Sequence, residues 1–110
     1  MMQVSNEDRN PMKLAFVVHN ELITSRVMQL LKAGGIDYYT RWEHVKGKGH
    51  GTEPHLGEGS FGSMNAVFMI AFQEEAPLEA LIQAITAANT EIQRPDDKIR
   101  LFQVPLERIV

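Results

Sequence analysis

Residues 42–72 read WEHVKGKGHGTEPHLGEGSFGSMNAVFMIAF, two apolar runs joined by a long connection rich in glycine. Six of the eight glycines in the chain fall within residues 46–63. Connections in compact domains usually have about 4 to 6 residues, and those longer than about 12 to 15 are commonly functional or disordered. The stretch therefore predicts two neighbouring strands of one sheet, separated by a functional loop at 46–63.

The apolar pattern on either side of this stretch predicts the remaining elements. Strands are predicted at 13–19, 38–45, 65–72 and 99–105, because these runs are short, apolar and rich in β-branched and aromatic residues. Helical spacing predicts two helices, with inner faces at Ile23, Val27, Leu30 and Leu31 and at Leu78, Leu81, Ile82 and Ile85. Asn20 is a predicted N-cap, Gly34 and Gly35 end the first helix, and Pro77 suits the first turn of the second. The βαββαβ order predicts an α+β domain, a four-stranded antiparallel sheet with two helices on one face.

Length, charge and composition exclude several classes of protein. The 110 residues suffice for one domain, predicted at 13–110 after a flexible N-terminal tail at 1–12. With eleven basic and fourteen acidic residues, no global positive field favours nucleic acid. The absence of cysteine excludes disulfides and thiol chemistry. No apolar run approaches the roughly 20 residues of a membrane helix, so a cytoplasmic protein without direct membrane insertion is expected.

Two of the predicted strands are apolar at successive positions. Residues 14–18 read LAFVV and residues 66–72 read AVFMIAF, a pattern typical of strands that are buried on both faces. Two helices can cover only one face of the sheet. We therefore expect further copies of the chain to cover the other face, in a closed oligomer with clefts between subunits.

The residues resemble a known family. The segment VKGKGH at 45–50, the opening MKLAFVVHNELITSRVMQLLKAGGI at 12–36 and the ending LFQVPLERIV at 101–110 are similar to the PII nitrogen-regulatory superfamily, in particular to divergent PII-like proteins with a shortened T loop. The resemblance covers nearly all of residues 13–110. It implies a ferredoxin-like subunit, a homotrimer, and a signal-transduction protein that is not an enzyme. Such proteins bind a small effector in the inter-subunit clefts and regulate a transporter or an enzyme through the T loop, here residues 46–63.

The resemblance also implies ligand-binding residues at the start of the T loop, at Lys46, Gly47, Lys48, Gly49 and His50. Glycine suits this place because it lacks a Cβ, so that backbone N–H groups can approach an anion closely. The expected effector is an adenine nucleotide, namely ATP, ADP, AMP or a cyclic nucleotide. The glutamine that nucleotide-binding relatives carry in this region has no counterpart, since His50 and Gly51 occupy it.

A second family loop, normally rich in glycine, precedes the last strand. Here it reads TEIQRPDDKIR at 90–100, without glycine. Arg94, Lys98 and Arg100 are the residues that would supply positive charge to a phosphate group. Asp96 and Asp97 lie beside them and would oppose an anion.

The loop histidines allow an alternative from another class. His50 and His55, with Glu53 between them, combine imidazole and carboxylate ligands that suit zinc, nickel or copper. A trimeric metal-binding protein resembling CutA is thus the competing hypothesis. His19 and His44 lie on predicted strands and are expected to be structural. No nucleophile with a base and an orienting acid is visible, so catalytic residues are not predicted.

Overall fold

The computed structural model describes residues 10–48 and 64–110. Its elements follow the predicted order: β1 (Lys13–Asn20), α1 (Thr24–Ala33), β2 (Thr40–Val45), β3 (Asn65–Phe72), α2 (Glu75–Asn89) and β4 (Arg100–Pro105). Short 3-10 turns at Glu21–Ile23 and Pro95–Asp97 precede α1 and β4. The predicted βαββαβ order is therefore confirmed.

The four strands form one antiparallel sheet in the order β2-β3-β1-β4. β1 pairs with β3 and β4, so it lies in the interior of the sheet, whereas β2 and β4 are the two edge strands. β2 pairs with β3, as the sequence predicted for the strands on either side of residues 46–63. This is the ferredoxin-like arrangement, and both central strands are the ones whose sequences are apolar throughout.

The hydrophobic core lies between one face of the sheet and the two helices. Alternate side chains of β1 and β3 are fully buried on this face, among them Val17, Phe68 and Phe72. The helices contribute the predicted positions to the same cluster: Val27, Leu31, Leu78, Leu81 and Ile85 are buried, and Ile23, Leu30 and Ile82 pack against them. Each such side chain stabilises the fold by about 1.5 to 3 kcal/mol when it is fully buried. Both helices therefore cover the same face, as predicted.

The opposite face of the sheet carries apolar side chains on all four strands. The strand register places Phe16 beside Met69 and Phe102, and Trp42 beside Val67. We call this the helix-free face; its apolar residues are Leu14, Phe16, Val18, Trp42, Val67, Met69, Ala71, Phe102 and Val104. Phe102 is 58% exposed, Trp42 46% and Val104 45%. In a single chain this apolar surface stays in contact with water.

Three strand boundaries differ from the sequence-based prediction, by one residue at the end of β1 and at the start of β4 and by two residues at the start of β2. β2 begins at Thr40 rather than at residue 38, because the rings of Tyr38 and Tyr39 pack edge-on against Phe72 and Phe68 while pairing with β3 starts only at Thr40. Of the predicted tail, residues 1–9 lie outside the described residues. Residues 10–12 are attached to the domain, since the side-chain amide of Asn10 donates to the Leu106 carbonyl at 2.7 Å.

Local signals at the ends of the helices act as predicted. α1 ends at Gly34 and Gly35, and Gly35 adopts a φ of 72°, in the left-handed region that favours glycine. Asn20 caps the turn before α1, since its Oδ1 accepts from the Leu22 N–H at 3.0 Å. After α2, the Asn89 side chain both accepts from the Ile99 N–H and donates to the Ile99 carbonyl, each at 2.8 Å. This pair of hydrogen bonds to one backbone residue holds the start of β4 against the helix.

Candidate functional site

One end of the sheet collects the residues that the sequence associated with ligand binding. Because β1 runs antiparallel to β3 and β4, and β2 to β3, the ends of β1 and β2 meet the beginnings of β3 and β4 there. Residues 46–63 start from β2 and return to β3 at this same end. We call it the loop end of the sheet; its strand termini are Asn20, Val45, Asn65 and Arg100.

The last residues of β2 are irregular at the loop end. Pairing with β3 shifts between Trp42 and Val45, and His44 within this bulge has a φ of 59°. Left-handed backbone is uncommon in residues other than glycine, although histidine is among the more tolerant. Nδ1 of His44 lies 2.8 Å from Oε2 of Glu21, the residue that follows β1. This contact fixes the unusual end of β2 to the end of β1.

Gly47 approaches β3 very closely. A Cβ added to this residue would lie 2.5 Å from Nδ2 of Asn65, a distance that real Cβ atoms do not show. The sequence predicts that a ligand approaches the backbone closely at this glycine. In the structure, the side-chain amide of Asn65 makes that close approach. Lys46 and Lys48, on either side, are exposed to solvent. The predicted ligand residues Gly49 and His50, and the predicted metal ligands His50, Glu53 and His55, lie outside the described residues.

The residue before the end of β1, His19, is a buried histidine. It is 2% exposed, on the helix-covered face, and its ring stacks on Phe68 with 5.6 Å between centroids. Nδ1 lies 2.8 Å from the carbonyl oxygen of Asn20. Within the described residues Nε2 has no hydrogen-bond partner. Burial lowers the pKa of His19; the bond to Asn20 opposes this shift, and the positive charge of Arg41 adds to it.

At the β4 edge of the sheet, charged residues before β4 form ion pairs and hydrogen bonds within the chain. Arg94 lies 3.0 Å from Oδ2 of Asp96 and 3.7 Å from Oδ2 of Asp97. The ammonium group of Lys98 donates to the Asn89 carbonyl at the end of α2. These cations therefore meet acceptors of the chain itself, and an anion would compete with those acceptors.

Arg100 is the first residue of β4 and is exposed. Its register partner on β1 is Val18, so it stands beside the helix-free face. It also lies at a groove of about 300 Å³ between α2 and β4, whose walls include Ile82, Ile85 and Leu101. Of the predicted ligand residues, Arg100 thus has the most open surroundings on the β4 side.

Among the described residues, the two groups of predicted ligand residues lie on opposite edges of the sheet. Lys46, Gly47 and Lys48 follow β2, whereas Arg94, Lys98 and Arg100 lie at β4, the other edge strand. Three interstrand spacings separate the two edges, or about 14 Å. In one chain, Lys46, Gly47 and Lys48 thus lie at the opposite edge of the sheet from Arg94, Lys98 and Arg100.

Two further observations concern residues 10–48 and 64–110 alone. Neither α1 nor α2 has the length and apolar character that crossing a membrane demands. In this part of the chain, no three histidine, cysteine, aspartate or glutamate side chains are placed to hold a metal ion. The metal-binding alternative, whose residues lie elsewhere, stays a prediction.

Solved structures share this arrangement over most of the chain. CPII, a nitrogen regulatory PII-like protein from Thiomonas intermedia K12 bound to ADP, AMP and bicarbonate, superposes with a TM-score of 0.63 and covers 88% of this chain and 89% of its own, at 17% identity. The fold is a PII-like fold. CPII bound to ADP and bicarbonate gives a TM-score of 0.61 at 17% identity, over 86% of this chain and 89% of CPII.

A PII-like signaling protein from Thermus thermophilus shares the PII-like fold with a TM-score of 0.53 and 20% identity, over 84% of this chain and 83% of its own. No family model matches the sequence, and no curated protein matches it either. At 17 to 20% identity these superpositions establish the fold alone, and the resemblance seen in the sequence is confirmed at that level.

Sequence reasoning missed the contacts that organise the loop end. Asn20 was recognised as a cap, but its Nδ2 also donates to Oδ1 of Asp97 at 3.2 Å and so connects β1 with the turn before β4. Glu21 and His44 are 23 residues apart and show no motif. The charged residue Glu21, next to the predicted N-cap Asn20, was the one available signal, and it did not identify a partner.

Proposed function

We propose that this chain is a PII-like signal-transduction protein that acts as a homotrimer. It binds a small effector, most simply an adenine nucleotide, in clefts between subunits, and it regulates a transporter or an enzyme through residues 46–63. It works in the cytoplasm and catalyses no reaction. The observation that carries the proposal is the placement of the two groups of predicted ligand residues on opposite edges of a PII-like sheet.

The apolar helix-free face supports association of several copies. Phe102, Trp42 and Val104 expose about half of their surface in the single chain. Full burial of a large apolar side chain contributes about 1.5 to 3 kcal/mol, so covering this face gives a strong driving force. Further copies of the chain are a fitting cover, because closed cyclic symmetry can turn the same face of every subunit toward the shared axis.

Association also supports a complete ligand site. In a closed ring, the β4 edge of one subunit lies near the β2 edge of the next, so Arg100 of one copy approaches Lys46 and Lys48 of its neighbour. Three cations around backbone N–H groups suit the phosphates of a nucleotide. Arg94 would take part only if Asp96 and Asp97 moved away from it.

The structural neighbours support the choice of effector. CPII has been solved with ADP, AMP and bicarbonate, and it covers nearly nine tenths of this chain. We propose regulation by population shift: the effector at the start of residues 46–63 stabilises one conformation of this segment, which a partner protein then binds or fails to bind.

Sedimentation and calorimetry test the proposal directly. Analytical ultracentrifugation is expected to give a mass of three chains, and titration with ATP, ADP, AMP and cyclic AMP to give binding of at least one of them. A stable single chain at micromolar concentration would refute the trimer and with it the shared site.

The metal-binding alternative requires its own measurement. Thermal unfolding with zinc, nickel or copper, compared between the natural chain and His50→Ala, detects it. Stabilisation by metal that the substitution abolishes, with no response to nucleotides, would favour the CutA-like hypothesis over the nucleotide sensor.

A further inference from the structure

A single peptide group joins the buried histidine to Met64, the residue before β3. The peptide between Asn20 and Glu21 has its carbonyl 2.8 Å from Nδ1 of His19, and its N–H donates to the Met64 carbonyl at 2.9 Å. Regular pairing of β1 with β4 ends earlier, at Val18 and Arg100. The Asn20 carbonyl therefore lies beyond the paired residues of β1 and β4, and the His19 ring donates a hydrogen bond to it.

The hydrogen bond fixes the tautomer of His19. A carbonyl oxygen only accepts, so Nδ1 carries the proton of the neutral ring. Nε2 is then a lone-pair acceptor, and within the described residues nothing donates to it. Since the ring is 2% exposed and stacked on Phe68, solvent does not reach this nitrogen without a movement of the ring.

We propose that His19 is a proton sensor for the loop end: a proton taken from solvent onto Nε2 turns the ring out of its place, frees the Asn20–Glu21 peptide and releases Met64. This inference is independent of the proposed function, because it needs neither a nucleotide nor a second copy of the chain.

Protonation is unfavourable where the ring now lies. It would create a buried cationic donor without an acceptor, close enough to Arg41 of β2 to feel its positive charge. From β3 the ring meets the uncharged Phe68. The two nearby carboxylates are already engaged, Glu21 with His44 and Asp97 with the Asn20 amide. The protonated ring therefore lowers its free energy by leaving, which removes the donor from the Asn20 carbonyl.

Release of this peptide affects the residues that flank 46–63 on both sides. The N–H of Glu21 holds Met64 at the start of β3, while the carboxylate of Glu21 holds His44 near the end of β2. A rotation of the Asn20–Glu21 peptide moves both groups together. Glu21 is thus the positioning residue through which the state of His19 reaches the two strand ends.

Nuclear magnetic resonance tests the proposal on the full-length protein. The ring carbons of His19 and the backbone amides of Glu21, Asn65 and Val45 are followed as the pH falls from about 7.5 to about 5, around the ordinary histidine pKa. We expect the His19 ring and the Glu21 amide to change with one shared midpoint, below that ordinary value. Far-ultraviolet circular dichroism recorded alongside should stay constant through this midpoint.

Two variants separate His19 from the other histidine of the loop end. In His44→Gln the shared transition should persist, since the His44 side chain is exposed and contacts Glu21 rather than the His19 ring. In His19→Phe, which keeps the stacking on Phe68 but cannot titrate, the transition of the Glu21 amide should vanish. If His19→Phe fails to fold, the natural chain and His44→Gln decide the matter by themselves. Any one of three results would overturn the proposal. These are loss of the amide transition in His44→Gln, titration of the His19 ring without a change in the Glu21 amide signal, and a midpoint that coincides with global unfolding.

Discussion

The side-chain amide of Asn65 lies against the backbone of Gly47, in the space that a Cβ at residue 47 would occupy. This contact joins the first residues after β2 to the first residue of β3. Packing within the chain thus explains why residue 47 is a glycine, without any need for a ligand.

Gly47→Ala is expected to lower the free energy of unfolding by about 1 kcal/mol, because the new methyl group forces the Asn65 side chain to move. Urea denaturation measures the change. Gly34→Ala is the matched control, since the nearest atoms to its Cβ lie at 3.6 Å and its φ of −86° suits any residue. Combining Gly47→Ala with Asn65→Ala should remove the clash. Equal stabilities for the Gly47 and Gly34 variants would contradict this account.

The stability of the fold should depend on pH through His19. Its pKa in the folded chain is lowered by burial, so between that pKa and about 6.5 the unfolded chain binds more protons than the folded one. Stability is therefore complete above about 6.5 and is lost as the pH falls through this window, by about 1.4 kcal/mol for each unit of difference between the two pKa values. Urea midpoints at several pH values measure the slope. His19→Phe should flatten it, and an unchanged slope in that variant would assign the effect to another group.

Introducing charge on the helix-free face should dissociate the oligomer. Phe102→Lys places an ammonium group at the exposed side of β4, where burial against another copy would be strongly unfavourable. Sedimentation velocity should then show a folded single chain. Gln83→Lys, on the exposed surface of α2, adds the same charge away from this face and should leave the assembly intact. Dissociation by both variants, or by neither, would show that this face is not the interface.

A site shared between copies predicts complementation between two defective variants. Lys46→Ala and Arg100→Ala should each weaken adenine nucleotide binding, since each removes a cation from one half of the site. Subunits of the two variants, mixed after unfolding and refolding, should regain about a quarter of the natural sites, because a ring then pairs two intact halves in about one cleft of four. Calorimetry counts these sites. Absence of recovery in mixed rings would place both residues in the same half.

The fold was largely predictable because its signals are local. The run NAVFMIAF gave the bounds of β3 correctly, and the glycines at 34 and 35 ended α1 where the backbone turns left-handed. The prediction for β2 was two residues too long, since aromatic residues favour strands by type while Tyr38 and Tyr39 pack against core rings instead. Strand propensity does not distinguish an aromatic residue within a strand from one that packs against the core outside a strand.

The candidate site was less predictable because its contacts are distant along the chain. The sequence placed cations near a phosphate by resemblance, but it did not show that Glu21 contacts His44, 23 residues further along the chain. Nor did it reveal that one peptide group connects His19 with Met64. Such contacts depend on strand order and register, which bring residues together without a spacing that a reader of the sequence can recognise.

The hydrogen bond from the Leu106 N–H to the Met12 carbonyl, at 3.2 Å, lies at the end of the sheet remote from residues 46–63. Affinity tags or fluorescent labels joined directly before Asn10 therefore leave the molecule from that far side. A chain anchored to a sensor surface in this way presents the loop end of the sheet toward the solution.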